Sequence, residues 1–414
     1  MLILYDFGIR LYHFSIIIYQ FFNKKAKLWI EGRKNIFSRI SDEVNRDSKC
    51  VWFHFASLGE FEQGRPVLEH LHKQYPQEKI IVTFFSPSGY EMRKNYASAD
   101  HVFYLPLDKK ANAQKFITLI NPKVAIFTKY EYWYHYFYEL QRRQIPIILI
   151  SAIFRKNQPF FKWYGSLNRK ILGFVDHFFV QDENSRRLLE SIHITKVTVS
   201  GDTRFDRVAE NAVSPARFPE IETFCGGSQI FIAGSTWPDD EKLIIDLIKS
   251  EGNWKFIIAP HEIKEENINR IIRMLSPGIT ERYSDLQVNP LKETTAQVLI
   301  IDNIGMLSSL YQYCQIAYIG GGFGVGIHNT LEAAAFGLPV IFGPNYQKFR
   351  EARELIATGA AFSIKHTSEL LNIFDVLKDE AAREKASKAA KRYVKEETGA
   401  TEKIINYLDA VVFN

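Results

Sequence analysis

Residues His54-Phe55-Ala56-Ser57-Leu58-Gly59-Glu60 run from an apolar stretch into a turn of small residues and then present a carboxylate. A Glu at such a place can be a solvated loop residue, an acid complementing a helix start, or a proton acceptor aimed at a bound hydroxyl. Glu62 competes for the last role, with Glu60 preferred. His54, among aromatics, reads as a satisfied core histidine. The second constellation is Gly320-Gly321-Gly322-Phe323-Gly324 followed by His328-Asn329-Thr330-Leu331-Glu332. Glycines permit positive φ and close backbone approach, N–H groups at a helix start attract phosphate, and Glu332 can accept from two hydroxyls such as a ribose diol. The competing reading is a tight crossover whose glycines serve packing and whose Glu332 is a favourable first-turn acid. The run does not follow GxGxxG at a first strand, so a dinucleotide cofactor is disfavoured.

These residues need sheets to position them. Short runs rich in Ile, Val and Phe recur at 51–56, 80–85, 101–105, 124–128, 147–151, 177–180 and 196–200, with amphipathic stretches between most of them. Strands this short and this apolar belong to a parallel sheet covered on both faces. After Gly201-Asp202-Thr203-Arg204-Phe205-Asp206 the regularity lapses over residues 208–228, which predicts a linker. A second series follows at 230–233, 255–259, 298–302, 316–319 and 339–342. The expectation is an α/β chain of two Rossmann-like domains facing across a cleft. Ligands bind beyond the carboxyl ends of such strands, which singles out Ser235-Thr236, Pro260-His261, Ile304-Gly305 and the glycine run with Gly321 and Gly322. Asp239, Asp240 and Glu241, just after Pro238, are expected to complement a helix dipole.

Length and composition agree. A chain of 414 residues exceeds what one core supports, and 46% hydrophobic with 24% charged residues is enough apolar material for two. Cys50, Cys225 and Cys314 are isolated and fit neither a disulfide framework nor a zinc site, which suggests a reducing cytoplasmic compartment. Before residue 41 there are seven Lys or Arg against two acids, so the segment carries an excess equal to the whole formal charge of +5. Its start is apolar and aromatic, interrupted by Asp6, Arg10 and His13, and is followed by Lys24, Lys25 and Lys27. Aromatics beside lysines suit a headgroup boundary. This favours an interfacial helix over a true span or a helix packed on the domain, and an anionic membrane surface over nucleic acid as partner. No small-residue cleavage site follows, so a signal peptide is not expected.

The ordered set of motifs resembles the Kdo transferases, which are GT-B glycosyltransferases. The matching pieces are HFASLGE (54–60), FFSPSGYEM (84–92), YLPLD (104–108), EYW (131–133), QDENSRRL (181–188), VSGDTRFD (199–206), AGSTWPDDE (233–241), APHE (259–262) and the glycine-rich run to Gly343-Pro344. The resemblance implies a GT-B fold with an N-terminal membrane-associated segment (1–40), an acceptor domain (41–207), the linker (208–228) and a donor domain (229–414). It implies transfer of 3-deoxy-D-manno-octulosonate (Kdo) from the co-substrate CMP-Kdo to a lipid A precursor in lipopolysaccharide synthesis. No cofactor or metal is implied, and the enzyme would work at the cytoplasmic side of the inner membrane.

The resemblance puts the general base of an inverting displacement on Glu60. Glu131 becomes an acceptor-site or supporting residue, with Trp133 near it. The CMP contacts fall on Pro260, His261, Ile304, Gly305, Met306, Asn329, Thr330, Leu331 and Glu332. Arg204 replaces a usual lysine near the cleft. Four positions depart from the family pattern: Pro260 and Ile153 stand where Arg is frequent, and Met306 and Lys129 where an acid is. Two further readings remain open from sequence. One is a nucleotide-sugar epimerase of the same fold, which would need no lipid anchor; the other is a non-catalytic membrane adaptor, for which Glu60 would be expendable.

Overall fold

A computed structural model describes residues 1–288 and 295–413. The chain divides into two compact units, Met1–Asp206 with Thr398–Asn414, and Arg207–Glu397.

The first unit is built on seven parallel strands: β1 (Cys50–Phe55), β2 (Lys79–Phe84), β3 (His101–Tyr104), β4 (Pro122–Thr128), β5 (Ile147–Ala152), β6 (His177–Val180) and β7 (Val197–Val199). They run in the order β3-β2-β1-β4-β5-β6-β7. All six residues of β1 are buried because both faces of the sheet are covered. Val51, Phe53 and Phe55 pack with Phe61, Val67, Leu68 and Leu71 of helix Leu58–Gln74. Trp52 points the other way, into Phe116, Phe127 and Tyr136. Each large side chain so buried contributes about 1.5–3 kcal/mol.

The N-terminal helix Leu2–Tyr19 buries none of its own residues. Two of its polar groups face the rest of the unit: Tyr5 Oη donates to Asp108 Oδ2 at 2.5 Å, and Asp6 Oδ1 meets His135 Nε2 at 2.6 Å. Asp108 also accepts the N–H groups of His135 and Tyr136 at the start of helix Tyr134–Arg142. Ile3, Leu4, Phe7, Leu11 and Phe14 are left exposed. Part of the apolar surface of this helix thus faces outward, unlike that of an ordinary surface helix, while Leu2 and Tyr5 pack against the core.

The second unit repeats the plan with β8 (Gln229–Thr236), β9 (Trp254–Pro260), β10 (Thr280–Arg282), β11 (Val298–Ile300), β12 (Ile316–Ile319), β13 (Val340–Phe342) and β14 (Ala361–Ser363). Their order is β10-β11-β9-β8-β12-β13-β14, again parallel. The edge strands β10 and β14 were not expected from sequence.

Two boundaries differ from the sequence reading. Residues 208–228 are not an irregular linker: they hold the end of helix Thr203–Val213 and helix Pro219–Cys225, whose Ile221 and Phe224 are fully buried. Lys255 Nζ donates to Phe224 O at 2.6 Å and Phe218 N to Tyr313 Oη at 2.9 Å, which seats the segment in the second unit. The end of the chain, assigned by sequence to the second domain, belongs to the first unit. Asp206 accepts from Gly399 N, Thr401 N and Thr401 Oγ1 at 2.6–2.7 Å and so caps helix Ala400–Leu408, whose Ile404, Ile405 and Leu408 enter the layer against β1 and β2.

In each sheet the strand order reverses once, between β1 and β4 and between β8 and β12. Connections leave in opposite directions there and open a crevice at the carboxyl ends.

Candidate active site

At the β1/β4 edge, β1 ends at Phe55 and helix Leu58–Gln74 starts three residues later. Ser57, extended at φ −150°, precedes the helix, and its Oγ donates to Glu60 Oε2. Glu60 is thus held in the first helical turn, partly exposed, where backbone N–H groups favour a negative charge. Glu62 is engaged elsewhere: Arg93 Nη2 lies 2.9 Å and Arg65 Nη1 3.4 Å from its carboxylate. The same helix is pinned one turn on, where Thr203 Oγ1 donates to Gln63 O and Gln63 Nε2 reaches Asp202 at 3.5 Å. Asp202 in turn accepts from Arg204 Nε at 2.9 Å and lies 2.8 Å from its Nη2, so Arg204 is anchored beside the Glu60 helix.

Past β4 come Lys129, at φ +59°, and then Tyr130 and Glu131. Burial raises the Tyr130 phenol; Arg155 opposes that shift, and the charges of Glu60 and Asp182 add to it, so these four side chains share one electrostatic neighbourhood. Glu131 Oε2 accepts from Trp133 Nε1 at 2.8 Å and meets His54 Nε2 at 3.0 Å. His54 Nδ1 meets Thr83 Oγ1 at 2.8 Å, and that oxygen accepts from Trp52 Nε1 at 2.8 Å. His54 is fully buried with both nitrogens used, as the core-histidine reading expects. Glu131 is therefore the outer end of a buried polar chain, which fixes its orientation.

At the β8/β12 edge, β8 carries an irregularity between Gly234 and Thr236, with Ser235 at φ +54°. Gly320 fits against it, since a Cβ there would lie 2.3 Å from Ser235 O, and one on Gly322 would lie 2.6 Å from the Gly343 backbone. These two glycines answer to packing, the competing reading of the sequence. Gly321, at φ +91°, has its N–H committed to Asp240 Oδ2 at 2.9 Å. Asp240 also accepts from Trp237 N at 2.9 Å and Tyr318 Oη at 2.7 Å, and burial raises its pKa. Glu241 is buried as well, meeting Arg270 Nη2 at 2.8 Å and Thr236 Oγ1 at 3.2 Å. Both acids tie loops together, a larger task than the dipole complement read from sequence; Asp239 stays exposed, paired with Lys242.

Rings line the same edge. His261 stacks between Trp237 and His328, with centroid separations of 4.7 and 4.4 Å. Trp237 Nε1 donates to His328 Nε2 at 3.1 Å, which requires an unprotonated nitrogen there. Burial, followed by the neighbouring His261, lowers the His328 pKa to about 4, in agreement. A cavity of about 270 Å³ opens beside Trp237 and Asp240, lined by Gly321, Phe323, Gly324 and Val325.

Of the other expected positions, Pro260 ends β9 and is buried, and His261 N bonds Thr236 O at 3.0 Å. Ile304 is 81% exposed, Gly305 takes φ +99°, and Met306 is buried at the start of helix Leu307–Leu310. Asn329 bridges its own loop, Nδ2 to Glu332 Oε1 at 2.9 Å and Oδ1 from Leu331 N at 3.2 Å. Buried Thr330 has an Oγ1 with no hydrogen-bond partner among the described residues. Helix Leu331–Ala335 is a single turn.

Comparison with known proteins gives this geometry a context. The family model described as 3-deoxy-D-manno-octulosonic-acid transferase (kdotransferase) matches residues 31–207. The 3-deoxy-D-manno-octulosonic acid transferase of Haemophilus influenzae is 25% identical over 375 residues, 86% of each chain. The chain is thus similar to the Kdo transferases over most of its length, and most of its first unit matches their family model. It is also 25% identical over 381 residues to a bifunctional glycosyltransferase/methyltransferase of Fusobacterium nucleatum, covering 87% of this chain but only 57% of that longer protein. In fold it is similar to the UDP-GlcNAc 2-epimerase of Neisseria meningitidis, with a TM-score of 0.60, 18% identity and coverage of 87% and 99% of the two chains. That likeness concerns the GT-B fold alone.

For a Kdo transferase relative, the two edges divide the expected residues cleanly. Glu60, Glu131 and Arg204 gather at the first; Ser235, Thr236, Pro260, His261, Gly321, Gly322 and the 329–332 loop gather at the second. Tyr130, Arg155, Trp237 and His328 also stand there and were not among the residues read from sequence as site candidates. Asp240 and Glu241 were read only as helix-start acids. A Trp immediately before a Pro-initiated helix at a strand end was the one local signal for Trp237.

Proposed function

We propose that this chain transfers Kdo from CMP-Kdo to a sugar hydroxyl of a lipid A precursor by a single inverting displacement. The observation that carries the base assignment is the contrast between two neighbouring carboxylates. Glu60 is partly exposed and bonded to one hydroxyl, while Glu62 is occupied by two guanidinium groups. A base must keep a free lone pair within reach of the acceptor proton. Glu60 takes that proton as the acceptor oxygen attacks the anomeric carbon and the bond to CMP breaks. The donor binds on the second unit, where the His261 stack and the 329–332 loop stand beside fixed dipoles suited to a phosphate leaving group. The reaction runs without a metal. Purified chain, CMP-Kdo and tetra-acylated precursor should release CMP and give a lipid heavier by one or more Kdo units in the mass spectrum, also in the presence of a chelator. CMP release without a lipid product, or none at all, overturns the reading.

The acceptor is amphiphilic, so the enzyme works at a membrane surface, the cytoplasmic side of the inner membrane. Support comes from the N-terminal helix, which turns Tyr5 and Asp6 toward the protein and Ile3, Leu4, Phe7 and Phe14 toward solvent. Lys24, Lys25 and Lys27 follow it. Replacing these three with Gln should weaken binding to anionic vesicles by about 1 kcal/mol per charge, with turnover of a water-soluble acceptor analogue nearly unchanged. Unaltered vesicle binding at low salt would exclude the electrostatic part.

A further inference from the structure

Where the N-terminal helix meets the first unit there is a cavity of about 470 Å³, lined by His13, Trp29, Arg33, Lys34 and Lys109 among others. No acidic residue lines it among the described residues. Arg33 is the centre of the anomaly. Its guanidinium lies 3.8 Å over the Trp29 ring and donates only to carbonyls: Leu105 O at 2.8 Å, Phe85 O at 2.7 Å and Trp29 O at 3.1 Å. Burial disfavours its charge, and no carboxylate pairs with it among the described residues. A guanidinium has five N–H donors, so three carbonyls leave two over. Trp29 Nε1, on a side chain 4% exposed, is a further buried donor without a partner. Lys34 and Lys109 likewise form no ion pair among the described residues.

Arg33 and Lys109 are half-buried and Lys34 exposed; withdrawing a guanidinium from water without a counter-charge is costly, and this pocket holds spare donors besides. The missing component is an anion, with several oxygens to meet several donors. Its source follows from His13, which lines the cavity and belongs to the helix whose outer face is apolar and exposed. A group entering beside that helix comes from the lipid on which the helix would rest.

We propose that this cavity binds the phosphate of a membrane lipid, a dianionic phosphate monoester in preference to a diester, with Arg33, Lys34 and Lys109 supplying the charge and Trp29 Nε1 a further donor. This rests on the membrane reading above but not on the transfer reaction, and it is tested without donor substrate. The full chain would be sedimented with phosphatidylcholine vesicles carrying either phosphatidic acid or phosphatidylglycerol, matched in surface charge. Binding should be about tenfold or more tighter on phosphatidic acid, as expected for charge-assisted hydrogen bonds. That preference should vanish in Lys109→Gln, and also in Arg33→Gln if thermal melting shows that variant folded. Equal binding of wild type to both vesicles, or a preference surviving in Lys109→Gln and folded Arg33→Gln, overturns the site. Calorimetry with inorganic phosphate should give far weaker binding; affinity equal to that for the vesicles would assign the pocket to a soluble anion and overturn the lipid source. Failure to bind any anionic vesicle would sink the membrane reading itself, and so tells the two failures apart.

Discussion

The two carboxyl-end edges are built alike from parallel strands yet treat their acids in opposite ways. At the β1/β4 edge, Glu60 stays partly exposed with Ser57 as its hydrogen-bond partner, close enough to Tyr130 to perturb its phenol. At the β8/β12 edge, Asp240 and Glu241 are buried and spent on structure, and what lines the surface is a stack of rings. A proton acceptor must keep a lone pair and access. A binding wall must keep its shape, and buried, satisfied acids hold it. An acid left with one hydrogen-bond partner and partial exposure on one unit thus contrasts with acids used for fastening on the other, and the proposed base is the former.

The sharpest way to break this comparison is at Glu60. Glu60→Gln keeps the shape and the Ser57 contact but removes the base, so turnover should fall roughly 10²–10⁴-fold, with CMP affinity and thermal midpoint close to wild type. Glu62→Gln should cost little turnover and only a small loss of stability, since its ion pairs are partly exposed. If Glu60→Gln keeps more than about a tenth of the activity, less loss than such a base should show, while Glu62→Gln is dead, the assignment moves two residues along.

Asp240→Ala should do the reverse. It strands Tyr318 Oη, Gly321 N and Trp237 N without an acceptor. At about 1–3 kcal/mol for each buried donor left unmade, the loss should reach roughly 3 kcal/mol or more, read as a lowered denaturant midpoint. Unchanged stability would mean that the acid is not a fastener, and the contrast between the edges would fail.

What was legible in the sequence followed from local pattern. Apolar runs of four to six residues announced twelve of the fourteen described strands, and the small-residue turn before Glu60 offered an acid at a helix start as one of its readings. β10 and β14 escaped because Thr280-Glu281-Arg282 carries no apolar run at all and Ala361-Phe362-Ser363 offers one large apolar residue. The destination of the chain's end was invisible for a different reason. It depends on Asp206 capping a helix that starts almost 200 residues later, and no local periodicity encodes that. The ring stack is similar: Trp237, His261 and His328 come from three separate strand ends and meet only because β8, β9 and β12 are neighbours in the sheet. The glycine run had two readings from sequence, and Gly320 and Gly322 are crowded by backbone, as the packing reading expects.

Binding at the second edge gives a smaller effect. Glu332→Ala should weaken CMP by about 1.5–3 kcal/mol, the worth of hydrogen bonds to a charged group, measured by calorimetry. Because Glu332 also accepts from Asn329 Nδ2, Glu332→Gln is the separating variant: it retains an acceptor for the loop and removes the charge. Wild-type affinity in both variants would take Glu332 out of the donor site; loss in the alanine variant alone would make it a loop-positioning residue.

The smallest effect tests whether the ring wall is held neutral. The His328 pKa falls from an ordinary 6.5 to about 4 because the ring is buried beside His261. Between those values the unfolded chain carries a proton on this imidazole that the folded chain excludes, so stability increases with pH. The contribution is intact above about pH 6.5 and is lost progressively as pH falls toward 4. His328→Phe keeps an aromatic ring in the stack but removes the titrating nitrogen that accepts from Trp237. It should therefore start less stable at pH 7 and lose less on acidification, so that its curve converges on that of wild type near pH 4. Denaturation midpoints measured at several pH values for both proteins would decide the matter. Parallel curves would show that His328 does not exclude the proton, and the neutral wall at the second edge would lose its support.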